Sequence, residues 1–121
     1  DLVITSCNSD FISVLFGLGN GSFGNLVNHS IGSYSSHHSL SVVDINNDTH
    51  LDIVVTNLDS NSIDVLRGYG NGSFSTVLSF QLEYGSNPVS TVIQDFNDDK
   101  KSDMVVLNNG TDSLSILLQT C

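Results

Sequence analysis

Residues 44–52 read D-I-N-N-D-T-H-L-D, and residues 95–103 read D-F-N-D-D-K-K-S-D, 51 positions later. In both stretches aspartate occupies positions 1, 5 and 9, and asparagine occupies position 3. Chance does not preserve four oxygen-bearing side chains at one spacing in two places. The stretches therefore predict an internal repeat, and a repeat decides the fold before any single strand or helix does.

The same offset relates other parts of the chain. Residues 1–24 and residues 52–75 align without a gap, and 13 of the 24 positions are identical. The run G-N-G-S-F at residues 19–23 recurs at residues 70–74. Because motifs this different share one offset, the sequence predicts consecutive copies of one structural unit.

Short apolar and β-branched runs alternate with turn signals inside one unit, and no window has the period of an amphipathic helix. Four strands are predicted in the complete unit, at residues 40–43, 53–56, 63–66 and 77–82, with a turn at 59–62 and a glycine-rich hairpin loop at 68–72. Four strands in about 50 residues are typical of a β-propeller blade. The predicted class is therefore all-β, with blades of four antiparallel strands.

The acidic stretch between the first and second strands, together with the Gly-Asn-Gly-Ser-Phe turn, resembles the FG-GAP or VCBS-type repeat of integrin α-subunit propellers and secreted adhesion proteins. The resemblance covers nearly the whole chain of 121 residues. It implies an extracellular β-propeller module that binds calcium and takes part in cell adhesion or in a structural assembly.

Aligned on this unit, the chain is expected to form about two and a half blades in a single repeat domain that does not close into a ring. Residues 1–38 are expected to form a partial blade without its first strand, residues 39–88 a complete blade, and residues 89–121 a partial blade without its last strand. The expected partners are other copies of the chain, which would self-assemble, or the remainder of a longer propeller chain.

Each acidic stretch offers an oxygen-rich ligand set, and calcium prefers six to eight oxygen ligands from a flexible loop. The predicted Ca²⁺ ligands of the first site are Asp44, Asn46, Asp48, Asp52 and the backbone carbonyl of His50; those of the second are Asp95, Asn97, Asp99, Asp103 and the carbonyl of Lys101. Neither is an EF-hand, which has glycine at position 6, and Mg²⁺ demands a tighter octahedron. The alternative is an aspartate- and asparagine-rich turn without a metal.

The composition is strongly acidic, with thirteen acidic and three basic residues and a net charge of −10. This charge argues against nucleic acid and anionic membrane surfaces as partners. No apolar run approaches the ~20 residues of a membrane-spanning helix, so membrane insertion is not expected.

Features of secreted proteins are present. Five Asn-x-Ser/Thr sequons mark candidate glycosylation sites at Asn20, Asn28, Asn47, Asn71 and Asn109. The two cysteines, Cys7 and Cys121, can pair within one chain, pair between chains or stay free. We expect them to link successive subunits head to tail. Sequons and resemblance together favour a secreted glycoprotein.

Other candidate residues are weaker. His37 and His38 lie in a serine-rich connection that we expect to be a solvated loop, and no nucleophile motif supports an enzyme. Phe23 and Phe74 are expected to plug the core once per blade. Exposed tyrosines leave a second function open, a carbohydrate-binding, lectin-like propeller, although only the turn phenylalanine recurs with the repeat.

Overall fold

The computed structural model describes residues 1–6, 9–32 and 36–120, and the regular elements of these ranges are strands. They are β1 (Leu2–Thr5), β2 (Phe11–Gly17), β3 (Phe23–Ser30), β4 (His37–Val43), β5 (Asp52–Asn57), β6 (Ser62–Leu66), β7 (Leu78–Gln81), β8 (Pro88–Gln94), β9 (Asp103–Asn108) and β10 (Ser113–Leu117). No helix in these ranges has the length and hydropathy needed to cross a membrane.

The strands form three antiparallel sheets in which chain neighbours pair with each other. Sheet 1 has the order β1-β2-β3, sheet 2 the order β4-β5-β6-β7, and sheet 3 the order β8-β9-β10. Short turn-rich connections favour such hairpin pairing, because two antiparallel strands need only a few residues between them. The predicted all-β class and the unclosed, propeller-like blades are confirmed.

Strand β4 starts three residues before its predicted start, at His37 instead of residue 40. His37 pairs with Asn57, and the register shifts between His37 and Leu40. A β-bulge of this kind adds a residue to one strand of a pair. The regular apolar pattern starts only after the shift, and the earlier part of the strand was therefore not visible in the sequence.

The core lies between the sheets in two clusters. The cluster between sheets 1 and 2 consists of Ile12, Val14, Ile31, Ile53, Val55 and Leu66. The cluster between sheets 2 and 3 consists of Val54, Ile63, Val65, Met104 and Val106. Successive side chains of a strand point to opposite faces, so a strand in a sheet that is covered on both faces is buried along its whole length. Sheet 2 is such a sheet, since all five residues of β6 are buried.

The Gly-Asn-Gly-Ser-Phe turns fold alike in sheets 1 and 2. In the second turn Asn71 Oδ1 accepts hydrogen bonds from Ser73 N at 3.0 Å and Ser73 Oγ at 2.6 Å, and Asn20 and Ser22 repeat this pattern. Their surroundings differ. Phe74 packs against the core cluster of sheets 1 and 2, whereas Phe23 is 44% exposed because none of the ten described strands packs on that side of sheet 1.

Gly68 marks the closest backbone approach of the acidic loop and the β6–β7 connection. A Cβ at this position would lie 2.1 Å from the carbonyl oxygen of Leu51. We expect Gly68→Ala to destabilise the fold by about 3 kcal/mol, because a backbone atom must move. Gly24→Ala is the control, since its Cβ would meet its nearest atom at an ordinary 3.6 Å. Urea unfolding of both variants measures the difference, and equal midpoints would contradict the close approach.

Candidate metal centre

The two acidic stretches form loops at the same place in their sheets, one between β4 and β5 and the other between β8 and β9. Positions 4 and 6 of each loop are left-handed, with φ of 59° at Asn47, 72° at Thr49, 63° at Asp98 and 65° at Lys100. This conformation costs roughly 1–2 kcal/mol per residue other than glycine. The loops share it although positions 4 and 6 differ in sequence, so the shared positions 1, 3, 5 and 9 determine the loop shape.

The carboxylate of the aspartate at position 1 accepts hydrogen bonds from backbone N–H groups of its own loop. The carboxylate of Asp44 accepts hydrogen bonds from Asp48 N at 3.1 Å and from Thr49 N at 2.8 Å. In the second loop Asp95 accepts them from Asp99 N at 3.2 Å and from Lys100 N at 2.7 Å. These bonds satisfy the N–H groups of the left-handed turns and stabilise them.

Positions 3 and 5 continue the pattern. Asp48 N donates to Asn46 Oδ1 at 3.0 Å, His50 N donates to Asp48 Oδ1 at 2.8 Å, and Asn46 Nδ2 donates to Asp48 Oδ2 at 2.9 Å. The N–H of His50 and the amide of Asn46 lower the pKa of Asp48 below its ordinary value of 3.8. Hydrogen bonds to a carboxylate favour the charged form, which is also the form that binds cations.

The second loop has the same electrostatic character. Desolvation raises the pKa of Asp95, but the backbone N–H groups of Lys100, Asn97 and Asp99 outweigh it, and the pKa lies below 3.8. In each loop, backbone N–H groups thus favour the charged form of one aspartate, Asp48 in the first loop and Asp95 in the second.

The aspartate at position 9 has a second role that the sequence did not reveal. Asp52 is completely buried. Its Oδ2 accepts a hydrogen bond from Ile45 N at 3.0 Å, and its Oδ1 accepts one from Gly68 N at 2.8 Å. One carboxylate thus ties the acidic loop to the β6–β7 connection. Buried carboxylates require such partners.

The complete tie recurs in sheet 3, and half of it recurs in sheet 1. In sheet 3 the buried Asp103 accepts hydrogen bonds from Phe96 N and Gln119 N, both at 3.0 Å. In sheet 1 Asp1 Oδ1 accepts one from Gly17 N at 2.8 Å. Aspartate recurs at residues 1, 52 and 103 with the 51-residue offset, and this recurrence was the available sequence signal for the tie. It was interpreted only as a sign of metal binding.

The two loops also contact each other. Asn47 Nδ2 donates to the carbonyl oxygen of Lys100 at 3.2 Å, and Ser102 Oγ donates to the carbonyl oxygen of Asp44 at 3.4 Å. Residues 47 and 102 occupy positions 4 and 8 of different loops, so no pattern within one repeat predicts the contact. It places the two candidate sites side by side on one edge of the stacked sheets.

The chemistry of the loops fits a hard cation. In the described ranges no three His, Cys, Asp or Glu side chains converge as a metal cluster, and the loop carboxylates accept N–H groups instead. A carboxylate offers about four lone-pair sites, so these bonds leave each aspartate with further acceptor capacity. Three carboxylates, one amide and a backbone carbonyl per loop match the oxygen ligands that Ca²⁺ prefers.

The expectation of a solvated loop is wrong for His37. Its side chain is 1% exposed at the start of β4, because the bulged register turns it into the sheet interface. Burial lowers its pKa below 6.5, while the charges of Asp64 and Asp10 and the backbone of Ser9 act in the opposite direction. Among the described residues, neither Nδ1 nor Nε2 of His37 has a hydrogen-bond partner with normal geometry. His38 is exposed, and its Nδ1 lies 3.0 Å from the carbonyl oxygen of Val89.

A buried polar cluster was also missed. Asp64 is buried in β6, where its carboxylate accepts hydrogen bonds from Ser79 Oγ, from Ser62 Oγ at 3.3 Å and from Asn57 Nδ2 at 3.4 Å. The sequence predicts a strand over Ile63-Asp64-Val65-Leu66 but does not show that Asp64 is buried. Because both faces of sheet 2 are covered, the polar face is buried as well, and its groups must satisfy one another.

Some predicted positions lie outside the described residues. They are both cysteines, Cys7 and Cys121, and the loop tyrosine Tyr34. The expected head-to-tail disulfide therefore stays a prediction.

Comparison with known families decides the classification. A family model described as FG-GAP-like repeat matches residues 1–55 and residues 44–106. The chain belongs to the FG-GAP-like repeat family. No curated protein and no solved structure matches the chain. Both acidic loops of this FG-GAP-like chain fall within the matched residues. The first match starts at Asp1, which is equivalent to position 9 of a loop, and the second starts at Asp44, which is position 1 of its loop.

The tie made by Asp52 can be tested by removing one acceptor. We expect Asp52→Asn to destabilise the fold by about 2–3 kcal/mol, because the amide nitrogen would face a buried N–H donor. Asp59→Asn, in an exposed turn, is the matched control and should change little. Urea unfolding in excess chelator isolates the hydrogen bonds from any metal. Equal stability of the two variants would contradict the tie.

The burial of His37 predicts a pH dependence. Its pKa is lowered in the folded state, so the unfolded state binds more protons below about pH 6.5. Stability should therefore fall as the pH drops below this value, by at most about 1.4 kcal/mol per pH unit from this group. His37→Gln should flatten the profile between pH 5 and 7, whereas His38→Gln should leave it steep. Parallel profiles for the two variants would show that His37 is not the titrating group.

Proposed function

We propose that this FG-GAP-like chain is a calcium-binding structural module of an extracellular protein, with one Ca²⁺ in each acidic loop. The observation that carries the proposal is the agreement of the two loops. Their ligand sets are the same, and so are their left-handed positions and hydrogen bonds. Four strained non-glycine residues require compensation from the surrounding structure, and strain of this kind clusters at ligand sites.

The physical role of the ion is to neutralise the loop. Each loop holds aspartates at positions 1, 5 and 9, and the second loop holds a fourth at position 4; their mutual repulsion opposes folding in a chain with a net charge of −10. A divalent ion among them converts repulsion into attraction and fixes the connection between the first two strands of a blade. Ca²⁺ that binds only the folded state adds stability by mass action.

The contact between the loops extends this role. The bond from Asn47 to the carbonyl of Lys100 joins neighbouring sheets next to both sites. An ion that stiffens one loop therefore also stiffens its contact with the next sheet. A module built this way is rigid in calcium-rich surroundings.

An extracellular setting agrees with these features. FG-GAP-like repeats typically occur in extracellular proteins, where calcium reaches the millimolar range that suits such sites. The asparagines of all five sequons are exposed. A glycan on Asn47 would attach to the nitrogen that contacts Lys100, so occupancy there would compete with the contact between the loops.

We propose a structural rather than an enzymatic role, since the family is not typically enzymatic. The alternative of a carbohydrate-binding propeller needs aromatic side chains that converge on one site. The described Tyr69 and Tyr84 are exposed, but they lie in different connections of sheet 2, one after β6 and the other after β7. Binding on a glycan array would favour this alternative.

Calcium binding should raise the melting temperature. A free Ca²⁺ concentration of 100 times Kd adds about 2.7 kcal/mol per site, which corresponds to a rise of roughly 10 °C for a domain of this size. Calorimetric titration of chelator-treated protein should give two Ca²⁺ per chain. Asp48→Asn, which removes one exposed carboxylate, should weaken one site at least tenfold (about 1.4 kcal/mol) and leave the other.

Asp59→Asn is the control for these measurements, because its carboxylate is exposed and lies outside both loops. An unchanged melting curve at about 10 mM Ca²⁺, above the weakest affinities of extracellular calcium modules, would remove calcium from the function.

A further inference from the structure

The blade interfaces are built from rows of paired apolar residues. Sheet 2 carries such a row on each face. Ile53 and Leu66 are opposite each other and face sheet 1, while Val54 and Val65 are opposite each other and face sheet 3. None of these four side chains is more than 4% exposed. Each row is buried because a neighbouring sheet packs against it.

Sheet 1 has the first of these rows on its uncovered side. Leu2 is paired with Leu15, and Leu15 with Leu26, so the row crosses all three strands. Leu2 and Leu15 are the repeat equivalents of Ile53 and Leu66. Leu2 is 45% exposed and Leu26 is 51% exposed. We call Leu2, Leu15 and Leu26 the leading row.

Sheet 3 has the second row on its own uncovered side. Val92 is paired with Val105, and Val105 with Ile116, so this row also crosses three strands. Val105 and Ile116 are the repeat equivalents of Val54 and Val65. Val92 is 56% exposed and Ile116 is 63% exposed. We call Val92, Val105 and Ile116 the trailing row.

We propose that the leading row of one copy of this chain docks on the trailing row of a second copy, head to tail. The inference deepens the proposed structural role by naming a partner, and it does not depend on Ca²⁺. Its basis is the continuity of the interface. The chain already packs such rows together twice, between sheets 1 and 2 and between sheets 2 and 3. The leading row on sheet 1 and the trailing row on sheet 3 are likewise apolar but are exposed.

The turn beside the leading row fits the same arrangement. In the interface of sheets 1 and 2, Phe74 packs against the core cluster, and a Cβ on Gly72 would lie 2.5 Å from Cζ of Phe16. Phe23 is the equivalent of Phe74 and is exposed next to the leading row. Leu118, which is two repeats beyond Phe16, is 52% exposed next to the trailing row. Docking would seat the Phe23 turn against Leu118.

Symmetry sets the form of the assembly. Two different surfaces meet in such an interface, so every docked copy offers a free row for another copy, and association continues until a ring closes or a filament forms. The rows contain no charged residue, whereas the whole chain carries −10. Added salt should therefore strengthen the association by screening the repulsion between copies.

The test uses sedimentation velocity of the full chain with a thiol reductant, so that disulfides do not contribute. Leu26→Asp damages only the leading row, and Val92→Asp damages only the trailing row. Both positions are exposed on edge strands, so the variants should fold, which circular dichroism checks. Phe80→Asp is the matched control, since Phe80 is 53% exposed on sheet 2 and belongs to neither row.

The wild type and Phe80→Asp should form concentration-dependent oligomers, and each row variant alone should associate at least about 30-fold more weakly, as for a central interface side chain. An equimolar mixture of the two row variants should form a dimer and grow no further, because only one pair of intact rows remains. A symmetric interface would not be restored by mixing.

The proposal is overturned if the wild type is monomeric up to about 1 mM, where even weak association is visible, or if the mixture stays monomeric. It is also overturned if Phe80→Asp, rather than the row variants, abolishes association, because the docking site would then be the groove between sheets 2 and 3 that Leu78, Phe80 and Leu117 help to line. Association that persists in chelator, together with a melting curve that Ca²⁺ does not change, would refute the calcium function and leave the docking intact.

Discussion

The structure depends on one interaction, the acceptance of two backbone N–H groups by a buried aspartate. Asp52 receives one from the acidic loop that precedes its strand and one from the turn that follows the next strand. Without it, two segments of irregular backbone would meet in the core with unsatisfied donors, and each such donor costs about 1–3 kcal/mol. With it, three consecutive elements of a blade are held by one side chain. Asp103 does the same in sheet 3.

This interaction explains how the acidic loop can serve two purposes. Asp44, Asn46 and Asp48 shape the turn by accepting N–H groups, and the same oxygens form the proposed ligand set. The loop therefore has a defined shape from its hydrogen bonds alone. A cation would then add to an existing framework instead of creating it, and most of the ordering of the chain would precede binding.

Much of the architecture was predictable because the repeat is regular. The 51-residue offset placed all ten strands, and it predicted that both acidic loops connect the first and second strands of a sheet. Contacts between repeats were not predictable. The bond from Asn47 to Lys100 and the burial of His37 depend on how sheets stack and on a register shift within β4. A periodic pattern describes one unit at a time and contains no information on either.

The burial of Asp64 was not visible in the sequence for the same reason. Asp64 alternates with apolar neighbours, which usually marks a strand with one solvated face. In sheet 2 that face is covered, and the carboxylate is buried among Asn57, Ser62 and Ser79. The candidate ligands, by contrast, could be named from spacing alone, because local backbone geometry determines the loop.

The bond from Gly68 N to Asp52 also limits how such units can change during evolution. It spans 16 residues, as do the equivalent bonds from Gly17 to Asp1 and from Gln119 to Asp103. An inserted residue between the two partners would move the donor away from the acceptor, so this hairpin must keep its length when the unit is duplicated. The stretch between β7 and β8 lies outside the spanned segment, so this bond does not fix its length.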